Sequence, residues 1–376
     1  MKRYVGEKVR YIREHTSSGE HVLIVPGERD ECIAADRART YTICSPLISR
    51  TSRYRVLLRL EAIERILEKE KPDLIESGDP YQVAWKAVHS GSALRIPVVG
   101  FYHSHFPEAY LRTIGKYLGA TVTDAFMDFA RRYIRNLYNR FARTIVPSPA
   151  LCTLLESWGV ENTFHSDLGV DTAIFRPASN DGESIRRELG IAEKRILLLY
   201  VGRLAQEKNT HTLFEAFQRL SWREPERYHL LVVGEGLQRA ELGRIKSGRI
   251  GAAVTHVPYC SDAVRLASYY RAADLFVHPG VQETFGLVTL EAQSCGTPVI
   301  GIHGSYMDRI IHNDQALWAQ ENSAEALAVA IADASRAGLK RDGRALHQHI
   351  AERYSWERIF SRLFALYREV IVGGPR

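Results

Sequence analysis

The chain of 376 residues is 45% hydrophobic and 25% charged, with a formal net charge of +6, a composition typical of a soluble globular protein with room for two domains. No apolar stretch approaches the roughly 20 residues that cross a bilayer, and the charged start MKRYVGEKVRYIREH indicates a helix instead of a signal peptide. These features exclude a helical membrane protein, and we expect the chain in the cytoplasm.

The first half of the chain alternates short apolar strands with helical stretches. HVLIVPG at 21–27, PDLIESG at 72–78 and IPVVGFYHS at 96–104 are predicted strands, and the amphipathic run at 54–71 is a predicted helix. A further helix, DAFMDFARRYIRNLYNRFA, leads into a strand and turn in ARTIVPSPA. This alternation is typical of an α/β domain.

The segment 110–143 carries most of the excess positive charge. It has seven arginine and lysine residues against Asp124 and Asp128, interleaved with aromatic and aliphatic side chains. Such a pattern is typical of amphipathic basic helices that make peripheral contact with an anionic membrane, and a solvated helix face over ordinary core contacts explains it equally well. No nucleic-acid-binding module accompanies the segment, so we expect no nucleic-acid partner.

Turn-forming residues at 176–184, RPASNDGES, indicate a linker between two domains. A second set of predicted strands follows, in ILLLYVGRL, HLLVVGEG, AAVTHVPY, LFVHP and PVIGI. Because these runs are apolar on both faces, they predict a parallel sheet covered by helices. We therefore expect two Rossmann-like doubly wound α/β domains with a cleft between them, followed by an amphipathic final helix.

Two glutamates with seven residues between them, Glu283 and Glu291, flank a predicted helix start in QETFGLVTLEAQSCGTPVIG. The loop around Phe285 joins a strand to this helix, where unpaired amides and the helix dipole attract phosphate. Carboxylates beside a phosphate accept hydrogen bonds from neutral hydroxyls, so the pattern indicates a ligand with hydroxyl groups on both sides of a phosphate, as in a nucleotide sugar. The spacing alone is explained as well by glutamates that favour the helix dipole.

Two further loops that follow predicted strands carry candidate residues. YVGRLAQEKN presents Arg203 and Lys208 around a turn, where both can face one anion, although ordinary solvated charges are the alternative. The sequence has no DxD pair and no histidine-carboxylate cluster with metal-ligand spacing. Arg203 and Lys208 are therefore the expected partners of a diphosphate, and we expect no metal ion and no other cofactor. In VVGEG, Gly234 and Gly236 let a ligand approach the backbone.

FYHSHFPEAY places two histidines, His103 and His105, at the end of a predicted strand. By strand alternation the two side chains share a face, so one is expected to point into the cleft. A structural role is the alternative for either histidine.

The ordered set VGRLAQEKN, VVGEG and ETFGLVTLEAQSCGTPVIG, preceded by SDLGVDTAIFRP, closely resembles the retaining glycosyltransferases of family four, which have the GT-B fold. The resemblance runs from about Ile96 to the C-terminus. It implies an acceptor-binding domain at 1–175, a nucleotide-sugar-binding domain at 176–354, and a helix at 355–376 that crosses back to the first domain. It also implies hexosyl transfer with retained anomeric configuration, in which the leaving phosphate assists deprotonation of the acceptor.

Site residues carry over where the motifs match. The resemblance implies that Glu291 binds the ribose hydroxyls, that Glu283 contacts the donor sugar, and that His103 lies near the anomeric centre. Arg203 and Lys208 neutralise the diphosphate on this view. The loops and backbone that hold the donor would come from Gly202, Gly234, Gly236, Thr284, Phe285, Gly286, Leu287 and Val288.

The N-terminus departs from the family pattern. The chain opens within what resembles a helix of the family, KRYVGEKVRYIREH, so the first strand of the N-terminal domain and its glycine-rich loop are expected to be missing. FYHSHFPEAYLR before a basic helix is similar to members that glycosylate lipids, including mannosyltransferases that use GDP-mannose. We therefore expect GDP-mannose or a UDP-hexose as donor and a hydroxyl acceptor, lipid-linked or a glycan, at the inner face of the membrane.

Two other functions stay open from the sequence. A catalytically silent protein that binds a nucleotide sugar or a lipid would bind the donor without forming product. An epimerase acting on the nucleotide sugar would form product in the absence of an acceptor.

Overall fold

The computed structural model describes residues 2–49, 54–103, 120–178, 181–281, 283–305, 308–312, 315–338 and 343–374. The chain forms two compact units, one made of Met1–Asp167 with Ile359–Arg376 and one made of Leu168–Arg358. The unit changes therefore fall at 167/168 and 358/359, where the sequence suggested 175/176 and 354/355. The roles assigned to the two domains stay predictions.

The described part of the first unit contains a parallel sheet of four strands, a mixed sheet of three strands and an antiparallel pair of strands. Its elements up to the first unit change are, in chain order, α1 Lys2–His15, β1 His21–Gly27, β2 Glu31–Ala35, β3 Ala38–Cys44, β4 Leu47–Ser49, β5 Tyr54–Arg55, α2 Leu60–Glu70, β6 Ile75–Ser77, α3 Gln82–Leu94, β7 Val98–Phe101, α4 Ala120–Tyr138, β8 Arg143–Val146, α5 Pro149–Ser157 and β9 Thr163–His165. Strands β6 to β9 form a parallel sheet in that order. In a separate sheet, β3 pairs with β1 in parallel and with β2 antiparallel.

The second unit is built on five parallel strands. The remaining elements are α6 Asp181–Glu188, β10 Ile196–Val201, α7 Thr210–Arg223, β11 Tyr228–Val233, α8 Arg239–Lys246, β12 Val254–Val257, α9 Ala263–Ala272, β13 Leu275–His278, α10 Leu287–Ser294, β14 Val299–Gly301, α11 Ala324–Ala337, α12 Gly343–Tyr354 and α13 Trp356–Gly373. The strand order is β12-β11-β10-β13-β14. All five strands predicted in this half are confirmed, because their apolar runs fill a sheet that is covered on both faces, with Leu197, Leu198 and Leu199 fully buried.

Two predicted elements in the linker and the first unit were wrong in extent. The run at 54–71 is helical only from Leu60, because Tyr54–Arg55 pairs with β4 and the Val56 N–H donates to the Pro46 carbonyl. The predicted linker at 176–184 already contains the start of α6 at Asp181. In both places a pairing or helix start not visible in the apolar pattern decides the local structure.

A buried polar cluster of Lys8, Glu76, Tyr4 and Tyr367 joins α1, β6 and α13 inside the first unit. The Lys8 Nζ lies 2.7 Å from Glu76 Oε2 and donates to the Tyr367 hydroxyl at 3.1 Å, and the Tyr367 hydroxyl itself donates to Glu76. Burial, the largest single effect, raises the pKa of Glu76, but the Lys8 ammonium and the hydrogen bonds from Tyr367 and Tyr4 together hold that pKa below its ordinary value. The cluster therefore fastens the C-terminal helix to the rest of its unit.

Replacing Tyr367 with phenylalanine is expected to lower the free energy of unfolding by about 2 kcal/mol, since a hydrogen bond to a buried charged group is lost and its partners stay buried. Urea unfolding measures the change. A matched control is Tyr11→Phe on α1, because the Tyr11 ring packs against Phe364 while its hydroxyl makes no hydrogen bond within the described ranges. Equal stabilities of the two variants would contradict the assigned role of the Tyr367 hydroxyl.

Candidate functional site

The loops that follow β10 and β13 lie side by side at the carboxyl edge of the second unit's sheet. Strands β10 and β13 are neighbours, and the strand order reverses between them. Ligands of open parallel sheets bind beyond the strand ends at such a reversal. Asn209, in a left-handed conformation at the start of α7, ties the two loops together, because its Nδ2 donates to the Pro279 carbonyl at 2.9 Å.

Lys208 and Glu283 form an ion pair across these two loops. The side chains are 27% and 19% exposed, so the pair is sheltered but reachable from solvent. Burial, the largest single effect, raises the pKa of Glu283, but the charges around it, that of Lys208 foremost, together hold that pKa below its ordinary value. Glu283 is therefore a carboxylate, and its oxygens are available as acceptors for a hydroxyl group.

His278, the last residue of β13, lies behind Glu283 and was not singled out from the sequence. Its Nε2 is 3.9 Å from Glu283 Oε2, and the residue is only 3% exposed. Burial lowers the pKa of His278 to about 4, so the imidazole is neutral at physiological pH. The available signal was a polar residue that ends an otherwise apolar strand directly before Pro279.

Arg203 does not share an anion with Lys208 in this structure. Its guanidinium pairs with Glu207 at 2.7 Å, and its side chain is 70% exposed. Its charge nevertheless contributes to the lowered pKa of Glu283, so it lies within electrostatic range of the pair. An exposed salt bridge of this type contributes little to stability. Arg203 can therefore exchange Glu207 for a phosphate at a small cost in free energy.

The start of α10 is shaped by Gly286, which has a φ of 84° and precedes Leu287. A glycine at this position has no side-chain oxygen with which to cap the first amides of the helix, including that of Val288. The Thr289 hydroxyl donates to the Gly286 carbonyl at 2.7 Å and fixes the turn. The backbone from Phe285 to Val288 therefore presents donors at the positive end of the helix dipole, and Thr284 lies in the turn just before them.

Two side chains hold this turn from behind. Phe285 is buried, at 3% exposed, and packs in the core of the unit. The Arg309 guanidinium lies over the Phe285 ring at 5.7 Å from its centroid, a cation–π contact that sequence reasoning did not find because the two residues belong to different loops.

Glu291 lies one turn into α10 and is 3% exposed. The Tyr270 hydroxyl of α9 donates to its Oε2 at 2.9 Å. Tyr270 was also missed from the sequence, since it sits in an ordinary amphipathic helix. A ligand that reaches the Glu291 carboxylate has to lie close against the start of α10.

The glycine loops after β10 and β11 are in direct backbone contact. The Leu204 N–H donates to the Glu235 carbonyl at 2.9 Å. A Cβ at Gly234 would lie 1.9 Å from the Gly202 carbonyl oxygen, and a Cβ at Gly236 would lie 2.2 Å from the Leu204 carbonyl oxygen. Gly234 and Gly236 therefore allow two loops of the site to pack together, and a contact of either residue with a ligand stays a prediction.

Replacing Gly234 with alanine is expected to force these loops apart and to raise the KM for the donor about tenfold, with a stability loss of about 1–3 kcal/mol from the overpacked backbone. Gly243→Ala is the matched control, because a Cβ at this glycine of α8 meets nothing within 4 Å. Initial rates over a range of donor concentrations, alongside urea unfolding, check both effects. A Gly234→Ala protein with unchanged KM would show that the loop spacing has no bearing on donor binding.

His103 belongs to the first unit and follows β7 directly. Its backbone N–H donates to the Phe101 carbonyl at 3.1 Å, and its ring is tilted against that of Phe101 at 5.9 Å between centroids. Burial lowers the pKa of His103, so the imidazole is neutral and can accept or donate a hydrogen bond. His105 lies outside the described residues.

Within the described ranges, no group of three or more histidine, cysteine, aspartate or glutamate side chains is arranged to hold a metal ion. In the same ranges, none of the helices combines the length and the apolar character needed to cross a membrane.

Comparisons with known proteins agree with this geometry. The model of the family "Glycosyltransferase Family 4" matches residues 2–173, and that of "Glycosyl transferases group 1" matches residues 181–345. A GDP-mannose-dependent alpha-mannosyltransferase of Corynebacterium glutamicum is 28% identical over 79% of this chain and 68% of its own length. A GDP-mannose-dependent alpha-(1-6)-phosphatidylinositol dimannoside mannosyltransferase of Mycobacterium tuberculosis is 29% identical over 94% of this chain and 88% of its own.

Among solved structures, sucrose-phosphate synthase from Thermosynechococcus elongatus superposes with a TM-score of 0.76 over 99% of this chain and 93% of its own, at 22% identity. At that identity the likeness concerns the fold alone. Together with two Rossmann-like units that each contain a parallel sheet, and with family models that match both halves, it identifies the fold as GT-B. The chain is a glycosyltransferase and belongs to glycosyltransferase family four.

Proposed function

We propose that this enzyme transfers a hexose from GDP-mannose or a UDP-hexose to a hydroxyl acceptor, with retention of anomeric configuration and without a divalent metal ion. The observation that carries the proposal is the Lys208–Glu283 ion pair beside the open start of α10. It brings a cation, a carboxylate and unpaired amides to the point where a parallel sheet binds its ligand. A phosphate-linked sugar matches these three groups.

The donor diphosphate lies at the N-terminus of α10 and against Lys208 in this proposal. The amides of Phe285, Gly286, Leu287 and Val288 hold phosphate and sugar oxygens, and Arg203 releases Glu207 to join Lys208. These groups stabilise the charge that develops on the leaving phosphate as the glycosidic bond breaks. No metal ion or other cofactor takes part in the step.

Glu283 accepts a hydrogen bond from a hydroxyl of the donor sugar, and the ion pair with Lys208 keeps the carboxylate ionised and oriented. His103 acts near the anomeric centre, where a neutral imidazole hydrogen-bonds to the sugar without adding a positive charge. The leaving phosphate takes the proton of the acceptor hydroxyl on the same face, so the new bond keeps the configuration of the old one. Glu291, held by Tyr270, binds the ribose hydroxyls.

The proposed acceptor is lipid-linked or a glycan at the cytoplasmic face of the membrane. Support comes from the relatives, one of which is named a phosphatidylinositol dimannoside mannosyltransferase, and from the basic segment 110–143. Residues 104–119 lie outside the described residues, and the remainder of the segment is α4 and the turn after it. The enzyme would be cytoplasmic and would touch an anionic membrane peripherally through this segment.

A donor panel tests the function. Purified enzyme is mixed with GDP-mannose, UDP-glucose or the free nucleotides, and the melting temperature is recorded, since a ligand that binds only the folded state raises it. The preferred donor is then incubated with candidate acceptors, with and without EDTA, and the anomeric configuration of the product is read by NMR. We expect one nucleotide to stabilise the protein and a retained, EDTA-insensitive product.

Three results would count against parts of the proposal. A product with inverted anomeric configuration would contradict the retaining mechanism. Loss of the reaction in EDTA would contradict metal independence. Donor binding without product over the whole acceptor panel would favour a catalytically silent binding protein.

A further inference from the structure

An arginine-lined pocket lies on the first unit, away from the residues assigned to catalysis. This open pocket of about 420 Å³ is lined by Asp128, Arg131, Arg132, Arg135, Ser157 and Trp158. All strands of the parallel sheet β6–β9 share one direction, so its carboxyl edge carries His103 after β7. Arg135 and Trp158 come shortly before the amino ends of β8 and β9. The pocket therefore belongs to the opposite edge of the sheet.

Contacts with neighbouring groups fix two of the three arginines at the pocket wall. The Arg131 guanidinium lies 5.9 Å from the ring centroid of Trp158 and 3.3 Å from Asp128 Oδ1. Arg132 donates from Nε to the Asp128 carbonyl at 3.2 Å. Both guanidinium groups keep further N–H donors for a ligand, since each has five.

The third arginine is placed by a backbone feature. The aliphatic part of the Arg135 side chain covers Gly159, where a Cβ would lie 2.8 Å from Arg135 Cδ. Gly159 has a φ of 86°, a conformation that glycine adopts readily. The turn after α5 thus leaves room for Arg135 to reach along the protein surface into the pocket.

The charge of the pocket is unbalanced. Three arginines face one carboxylate, that of Asp128, and in the described ranges Arg132 and Arg135 have no carboxylate within ion-pair distance. Planar guanidinium groups in a concave site favour a phosphate, which can accept several hydrogen bonds at once.

The same helix exposes apolar side chains beside the pocket. Phe129 is 64% exposed and Val122 is 50% exposed. They lie seven positions apart, which is two helical turns, so they form one stripe on the solvent face of α4. Along the helix axis, Val122 and Arg135 are about 20 Å apart. Exposed aromatic and aliphatic groups on a helix that also carries several arginines are the pattern of a helix that lies in a membrane interface.

We infer that the pocket binds the phosphate of an anionic lipid head group and thereby holds α4 flat on the membrane, with Phe129 and Val122 entering the interface. The inference rests on the proposed action at a membrane surface and names the residues responsible. The site is an anchor separate from donor binding, because its residues lie at the opposite edge of the sheet from His103.

The test compares binding to vesicles of mixed phosphatidylglycerol and phosphatidylcholine with binding to phosphatidylcholine alone, by co-sedimentation of the full chain. The variant Arg131→Gln, Arg132→Gln, Arg135→Gln is expected to bind the anionic vesicles about 100-fold more weakly and to turn over donor with a water-soluble acceptor at the wild-type rate. Its matched control removes the same charge from the second unit, with Arg244→Gln, Lys246→Gln and Arg249→Gln. The control is expected to bind like the wild type, and circular dichroism verifies that both variants are folded.

A second variant separates a built phosphate site from diffuse charge. Replacing the same three arginines with lysine keeps the charge but removes the planar donors, and we expect vesicle binding several-fold weaker than the wild type. Equal binding of the lysine variant, or equal losses in the glutamine variant and its control, would overturn the pocket. Tight binding of glycerol phosphate at this site with no preference for anionic vesicles would also overturn it, in favour of a site for a soluble phosphate.

Failure of this inference is distinguishable from failure of the proposed function. If the wild type and the glutamine variant bind anionic vesicles equally well, only the role of the pocket is refuted. If the wild type turns over donor but does not bind anionic vesicles, the role of the pocket and the membrane contact are both refuted. The proposed transferase activity is then unaffected.

Discussion

Replacing Lys208 with alanine is expected to lower kcat for sugar transfer about a thousandfold, because a cation placed where charge develops in the transition state is removed. The loss has two sources. Of its two proposed cationic partners the leaving diphosphate keeps only Arg203, which is exposed and paired with Glu207 in the resting enzyme. In addition Glu283 becomes a sheltered carboxylate without its counter-ion. Steady-state kinetics with a saturating donor measures the effect.

The pH dependence of the residual activity tests the electrostatic half of this explanation. In the wild type, Lys208 is the main group that lowers the pKa of Glu283 against the effect of burial. Without Lys208 burial remains, so the pKa of Glu283 rises and the acid limb of the kcat/KM profile moves to higher pH. Lys246→Ala, an exposed lysine of the same unit, is the control and should leave both rate and profile unchanged. A Lys208→Ala enzyme with normal turnover would remove the central element of the proposed site.

The positions of the loops in the second unit could be predicted because buried parallel strands carry a strong signal. Runs such as ILLLYV and HLLVV are apolar on both faces, and the residues that follow them lie at one edge of the sheet by construction. For this reason Arg203, Lys208 and Glu283 were all placed at a common edge from the sequence. Gly286 was likewise placed correctly at a helix start, since a glycine and an apolar helical repeat follow a strand there.

The partners of these side chains could not be predicted, because they depend on contacts between distant segments. Lys208 meets Glu283 across 75 positions, and no local pattern distinguishes that partner from Glu207, which instead binds Arg203. Tyr270 and Glu291 likewise come from successive helices of the sheet's cover. Such contacts follow from the packing of the sheet, and the sequence indicates only that the segments share it.

The first unit was predicted less well, since its outer strands face solvent. Strand β2 has mostly exposed side chains, including an Ile33 that is 57% exposed. A short strand of five residues whose small or exposed side chains add little to the core gives only a weak signal, so the hairpin of β2 and β3 was not found. The helix predicted at 54–71 was too long because its first two residues, Tyr54 and Arg55, pair with β4, a contact between separate segments that the helical pattern does not reveal.

Replacing Glu291 with glutamine is expected to raise the KM for the nucleotide sugar about a hundredfold with little change in kcat. A carboxylate accepts hydrogen bonds from two vicinal hydroxyls, whereas an amide turns one acceptor into a donor that opposes them. Loss of a hydrogen bond to a charged group in a buried site has a cost of this size, about 1.5–3 kcal/mol. Because the ribose is bound alike in the ground and transition states, the effect falls on KM.

The variant Tyr270→Phe tests how much of the effect comes from positioning the Glu291 carboxylate, as distinct from its direct contact with the ribose. The Tyr270 hydroxyl donates to Glu291 Oε2 and is not assigned any contact with donor. Its removal is expected to raise KM about tenfold, a smaller effect, because the carboxylate keeps its charge and loses one neutral donor.

A donor with 2′-deoxyribose gives the decisive comparison for Glu291. The wild type should bind the deoxynucleotide more weakly than the ribonucleotide, because the carboxylate then lacks one of its hydroxyl partners. The Glu291→Gln variant should bind the two with similar affinity, since the contact that distinguishes them is already lost, and isothermal titration calorimetry measures all four values. A variant that still discriminates as strongly as the wild type would place the ribose elsewhere, and the buried Glu291–Tyr270 contact would then be a structural feature that fastens α10 to α9.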